Sequence, residues 1–107
     1  MTSTNMINIQ KGDYVIATKY KDGDPGDQFC IGFYAGSYDS YGQTRHLVVD
    51  SEGVNFRHNG FRRVAKVSHE RGSWMVRNLK LIEELKNRFS VWHWYRATWK
   101  ELKSLEG

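Results

Sequence analysis

Arg57, Arg62 and Lys66 are the residues whose types and spacing point most directly to chemistry. They flank Asn59-Gly60, the dipeptide that best tolerates the two positive φ angles of a type I′ turn, which predicts a two-residue hairpin between VNFRH and FRRVAKV. In that register His58 faces Phe61, Arg57 faces Arg62, Phe56 faces Arg63, Asn55 faces Val64 and Val54 faces Ala65. Strand side chains alternate, so Val54, Phe56, Phe61, Ala65 and Val67 form an apolar side, and Asn55, Arg57, Arg62, Val64 and Lys66 a basic one. Arg57 opposite Arg62 is unfavourable on a sheet unless an anion or carboxylate lies nearby. The pair therefore marks either a ligand or a solvated face whose long side chains splay apart. Arg63 falls on the apolar side, which predicts a rim position or a buried acidic partner.

Guanidinium and ammonium groups neutralise phosphates, and aromatic rings stack on bases. Arg71 and Arg77 extend the basic patch along the chain. Tyr38 and Tyr41 lie in the polar, Gly-flanked stretch GSYDSYGQT, read as a loop, and serve either as a stacking surface or as caps folded back on the sheet. Trp92 and Trp94 share one side of SVWHWYRA, read as a strand, and supply further rings.

Catalytic chemistry has little footing. His46, His58, His69 and His93 are 12, 11 and 24 residues apart, without the close His/Cys spacing of a zinc site. Asp22, Asp24 and Asp27 suggest calcium, but counting from Asp22 puts Gly26 where an EF-hand needs its third acid and Phe33 where it needs its Glu. No G-x-S-x-G, P-loop or dinucleotide fingerprint occurs, so neither a cofactor nor a metal is expected. Cys30, in an apolar run, reads as a small buried hydrophobe rather than a nucleophile.

The 107 residues suit one domain with a modest core. A single cysteine, no charged-then-apolar leader and no membrane-length apolar run predict a cytoplasmic protein without a membrane partner. Charge is uneven: residues 1–53 hold 4 Lys/Arg against 7 Asp/Glu, and residues 54–107 hold 12 against 5. The positive half favours nucleic acid, a nucleotide or an acidic protein as partner.

The elements that must position these residues are α+β, mainly β. YVIATKY, QFCIGFYA, Arg45 to Asp50 and the two arms of the hairpin predict five antiparallel strands over residues 11–67, as a barrel or meander. KDGDPGD and Ser51-Glu52-Gly53 are turns, and Gly32 inside a strand predicts a bulge or bend. The extension, residues 73–107, predicts a helix capped by Ser73 with a Met75, Leu79, Ile82, Phe89 stripe and with Trp74 off it, then a sixth strand over Ser90 to Ala97. Thr98 and Glu101, at capping-box spacing, start a short helix ending near Leu105.

Gly12-Asp13-Tyr14-Val15-Ile16-Ala17, Asp22-Gly23, Ile31-Gly32-Phe33-Tyr34, Leu47-Val48-Val49-Asp50 and Phe61-Arg62-Arg63-Val64 resemble the strand order of Tudor-type SH3-like barrels. The resemblance covers about residues 11–67 and implies that fold. It also implies an aromatic cage for a methylated cation, to which Tyr20 and Tyr34 correspond by position. Ser51-Glu52-Gly53 lacks the aromatic pair such readers show there, and a basic face opposes a cationic peptide, so the resemblance speaks to fold more than to ligand.

The sequence thus predicts a non-catalytic module that binds nucleic acid or a nucleotide through a basic β-face and aromatic rings. The alternative is a small factor that docks on another protein, such as a phage-encoded inhibitor or accessory protein, since Trp, Tyr and Arg anchor interfaces. A homodimer built on the sixth strand is compatible with either.

Overall fold

The computed structural model describes residues 8–20, 24–50 and 55–105, the side chains of 55–59 excepted. Tyr14–Thr18 (β1), Phe29–Ser40 (β2), Gln43–Asp50 (β3), Asn55–Phe61 (β4) and Arg63–Lys66 (β5) form the predicted five-stranded antiparallel sheet, in the order β4-β3-β2-β1-β5. Four helices follow: His69–Arg77 (α1), Leu79–Leu85 (α2), Val91–Arg96 (α3) and Trp99–Ser104 (α4). The sheet is open, for β4 pairs with β3, β5 pairs with β1, and no ladder joins the two edges. Yet only Arg62 separates β4 from β5. Consecutive Cα atoms lie about 3.8 Å apart, so the sheet curls until its edges converge at that residue. The Arg62 amide, donating 3.1 Å to the Thr18 carbonyl, holds the corner to β1.

The predicted hairpin at Asn59-Gly60 is not formed. The strand's ladder with β3 is broken there: Phe56 pairs with Val48 and Phe61 with His46, so Arg57 to Gly60 form a bulge opposite Leu47. Gly60 keeps its positive φ of 61°, but the Arg45 side chain and the His46 carbonyl pack over it, so its role is close approach within the sheet. The two-residue turn lies instead at Tyr41-Gly42, with φ 51° and 77°, and the stretch read as a loop supplies the ends of β2 and β3. Gly32 is not the bulge either. The bulge falls between Tyr34 and Gly36, whereas a Cβ on Gly32 would collide with the Val49 carbonyl across the ladder.

Curling divides the apolar residues between two cores. Val15, Ala17, Cys30, Val48, Phe61 and Val64 fill the concave side, joined by Ile9 and Tyr34. Tyr14, Ile16, Ile31 and Val67 face the helices, against Trp74, Met75, Ile82, Val91, Trp92, Trp94, Ala97 and Leu102. The corner at Arg62 resets the alternation assumed for a straight hairpin. Val64, placed on the basic face by that register, is core, and Ala65 packs on the opposite side from Phe61. The registers of Val54 and Phe56 side chains lie outside the described residues.

The C-terminal third departs further from its predicted form. Ser68, rather than Ser73, caps α1 by accepting the Arg71 amide at 3.1 Å. Gly72 sits inside that helix because the Tyr14 ring occupies the place of a side chain, with Cδ1 2.8 Å from where a Cβ would stand. The helix is interrupted at Asn78, which shifts the stripe: Trp74, Met75 and Ile82 are buried while Leu79 is exposed. Ser90 to Ala97 is a helix, not a sixth strand. Its buried residues, Val91, Trp92, Trp94 and Ala97, follow helical spacing with His93 exposed, and a single helical face satisfies a core that an alternating strand would meet on only half its rings. The Thr98–Glu101 capping box of α4 forms as predicted.

Gly32→Ala should destabilise the protein by about 3 kcal/mol, the upper end for overpacking against backbone. A urea midpoint lowered with unchanged slope measures this; a wild-type midpoint would mean β3 does not approach β2 so closely.

Candidate functional site

Of the nine side chains singled out by the sequence, the eight that are described do not gather on one face. Trp92 is 1% exposed and Trp94 5%, both within the chain's own core. Neither offers a face to a base or to a second subunit, which withdraws them from the stacking surface and from the dimer contact. The Trp92 indole N–H donates 3.2 Å to the Thr18 hydroxyl, which itself donates 2.9 Å to the Tyr20 carbonyl. Arg63, the misfit of the predicted register, lies 4.0 Å over the Trp92 ring. A cation over an aromatic face explains its position.

Arg71 is structural. Its Nη1 reaches the carbonyls of Ala97, Trp94 and Tyr95 at 2.7, 3.2 and 3.3 Å. These carbonyls lie at the end of α3, where the Trp94 oxygen also accepts the Ala97 amide at 3.3 Å, so the guanidinium caps one helix from another. Lys66 is exposed with Nζ 3.5 Å from Asp13 Oδ2. The Gln10 amide donates to the same carboxylate oxygen, and together with Lys66 it holds the Asp13 carboxyl below the ordinary carboxylate range. Arg77 is exposed in the last turn of α1, where a cation complements the helix dipole. The Arg57 side chain lies outside the described residues.

Arg62, Tyr38 and Tyr41 remain at the surface, the tyrosines on the β2–β3 hairpin and Arg62 at the corner that follows Phe61. Beyond β1 and the His46–Phe61 pair with β4, the β2–β3 hairpin continues as a two-stranded ribbon, with Tyr38 opposite Arg45, Asp39 opposite Thr44 and Ser40 opposite Gln43. Tyr41 at its tip is fully exposed at 102%, and Tyr38 is 40% exposed. At the ribbon's root a cleft of about 320 Å³ is lined by Gln43, Thr44, His46 and Arg62. His46 Nδ1 lies 2.9 Å from the Tyr34 hydroxyl, and burial holds the imidazole below the ordinary histidine value. Thr44 donates its hydroxyl to Asp39 Oδ1 at 3.1 Å. Lys11 stretches across Gly36 at the bulge, its Cε 3.4 Å from where a Cβ would stand.

Gln43 and Thr44 fall in the stretch read as a loop, and His46, in the expected third strand, enters the sequence reading only as a candidate metal ligand. The signal was Tyr41-Gly42 as the turn, with Thr44, His46 and Val48 alternating into β3. Tyr20 and Tyr34, which correspond to an aromatic cage, lie past opposite ends of β1, since Tyr34 pairs its amide with Asp13 while Tyr20 follows Thr18. Seven residues of extended chain span roughly 20 Å, so the two rings do not share a ligand.

Other chemistry is sparse among the described residues. No group of three His, Cys, Asp or Glu is placed to hold a metal, and no helix is long and apolar enough to cross a membrane. His69 packs edge-on to Tyr14, His93 stacks on Phe89, and the His58 side chain lies outside the described residues, as does Asp22. Burial, with Asp50 beside it, pushes the Cys30 thiol up to about 12, so no thiolate exists at neutral pH. Compared with known protein families, curated proteins and solved structures, the chain matches none.

Arg71→Ala should lower stability by about 2 kcal/mol, the scale of hydrogen bonds made by a charged group, and leave the salt dependence of any ligand binding unchanged. Calorimetry and a salt titration check the two halves. Cys30 should resist iodoacetamide at pH 8 in the folded protein and react on unfolding, as followed by mass spectrometry.

Proposed function

We propose that this protein is a non-catalytic binding module for an anionic ligand, nucleic acid or a nucleotide, engaged through the β2–β3 ribbon and the cleft at its root. The observation that carries this reading is the meeting of Arg62 with Gln43, Thr44 and His46 in one cleft, on the hairpin that also carries the exposed Tyr38 and Tyr41. Arg62 offers a forked guanidinium for phosphate oxygens, and Tyr38 and Tyr41 offer π-faces that stack on any base. A two-stranded β-ribbon also has the width to enter a major groove. We read the sheet as an SH3-like barrel of Tudor type. In support are its strand order, the one-residue corner between β4 and β5, and a concave core separate from the helix-covered side.

Tyr41 favours a functional tip for a further reason. Its φ of 51° is left-handed, a conformation that Asn or Gly adopts with less strain. A fully exposed ring in a strained turn contributes nothing evident to folding. The same ring suits a protein partner, since tyrosine is enriched at interface hot spots, and salt distinguishes the two.

Binding of single-stranded DNA or RNA should weaken steeply between 50 and 200 mM salt, and Arg62→Ala should reduce the slope by about one ion. Tyr41→Asn should raise stability by about 1 kcal/mol while weakening binding. Fluorescence anisotropy and thermal unfolding measure both. Salt-insensitive binding to a protein, lost in Tyr41→Asn, would transfer the site to the docking reading; undiminished nucleic-acid binding in both variants would remove the ribbon from it.

A further inference from the structure

The cleft at the ribbon's root has a more specific chemistry than positive charge. Resting on the binding reading above, we propose that it is a phosphate site in which His46, oriented by Tyr34, presents an Nε2–H donor beside the Arg62 guanidinium.

The Tyr34 hydroxyl lies 2.9 Å from His46 Nδ1. In the proposed arrangement the phenol hydrogen is donated to Nδ1, which puts the proton of a neutral imidazole on Nε2. Protonation keeps that arrangement: Nδ1–H then donates to the phenol oxygen, and Nε2–H is unchanged. The ring therefore offers the cleft a donor in both charge states. Burial favours the neutral form, so at neutral pH the site holds one fixed N–H and one guanidinium rather than two cations. Such a pair remains stable when empty, because two adjacent full charges are not forced together.

The groups around His46 support an anion. Ser37 and Tyr34 flank it on β2, Phe61 pairs with it on β4, and Arg62 follows at the corner. Asp39, opposite Thr44 in the ladder, accepts the Thr44 hydroxyl and keeps its negative charge, so the proposed phosphate seats on the His46 and Arg62 side of the cleft. The Gln43 amide adds two N–H donors at the cleft wall. A volume of about 320 Å³ lies at the lower end for small-molecule sites, about 300–1,000 Å³. It leaves room for a phosphate and part of the sugar attached to it. The phosphate comes either from a terminal phosphomonoester or from a phosphodiester backbone.

The test is an NMR titration of the histidine ring signals of the full chain with inorganic phosphate, then with 5′-phosphorylated and unphosphorylated oligothymidylate. The expected result is a selective shift of the His46 Nε2–H and an upward move of its titration midpoint with ligand, since a bound anion favours imidazolium. Arg62→Ala should weaken the phosphate response at least about tenfold. His46→Phe should weaken it likewise while His46→Gln, which keeps a side-chain N–H, retains most of it; for these two variants binding is read from the Gln43 and Arg62 amide signals. Thermal unfolding identifies any variant that has lost its fold, and Arg62, being exposed, keeps the comparison sound if a His46 variant fails. A response confined to the 5′-phosphorylated strand assigns a terminal phosphate, and equal responses assign the backbone. Oligonucleotide binding with His46 unmoved overturns the phosphate site and leaves the wider reading standing. A phosphate response without oligonucleotide binding supports the site and overturns nucleic acid as its ligand. No response to any of the three ligands, or an undiminished one in Arg62→Ala, overturns the proposal.

Discussion

Every residue of β1 is buried, and the rest of the structure follows from covering both its faces. Tyr14 and Ile16 look to the helices, Val15 and Ala17 to the concave side. A five-residue strand cannot shield two faces itself, so the sheet must curl around one and the helices must close the other. Thr18 shows how tightly this is arranged: its hydroxyl is buried at 1% exposure, yet it both accepts from Trp92 and donates to Tyr20. Leaving such a group unpaired would cost about 1–3 kcal/mol. The pairing fixes α3 in register against β1 while Trp92 contributes its large apolar surface to the same contact.

The candidate site is a by-product of that curl. With β4 and β5 joined by one residue, the sheet's two edges meet at Arg62, and β2 and β3 continue past the end of β1 as a free ribbon. The corner delivers a guanidinium to the root of the ribbon, where β3 supplies Gln43, Thr44 and His46. Nothing in the core demands exposed tyrosines or a cation there. The scaffold explains where the cleft is, and the residues left over from folding explain what it can bind.

Two turn dipeptides show how tertiary pairing outweighs local preference. Asn59-Gly60 has the better turn chemistry, yet it is taken up in a bulge of β4, because the pairing of Phe61 with His46 and the burial of Phe61 place the strand beyond it against β3. Tyr41-Gly42 turns despite a strained tyrosine, since β2 and β3 pair along eight positions that only a turn there can align. The aromatic run of α3 makes the same point. Its rings have strand propensity, but that propensity is a preference for a half-buried surface, and a helix against β1 buries Val91, Trp92 and Trp94 together.

The sequence by itself determined the five strands, their antiparallel arrangement, the capped final helix and the uneven charge, because β-branched runs, a Thr-x-x-Glu spacing and residue counts are local properties. It also marked Arg62, Tyr38 and Tyr41, which stay at the surface. Only the tertiary structure decided that Arg71 caps α3, that Arg63 covers Trp92, that Trp92 and Trp94 are core, and that His46 joins Arg62 in one cleft. Those outcomes depend on which elements meet. His46 and Arg62 are sixteen positions apart along the chain and become neighbours because β3 pairs with β4 at His46 and Phe61, a long-range register that no window of sequence contains.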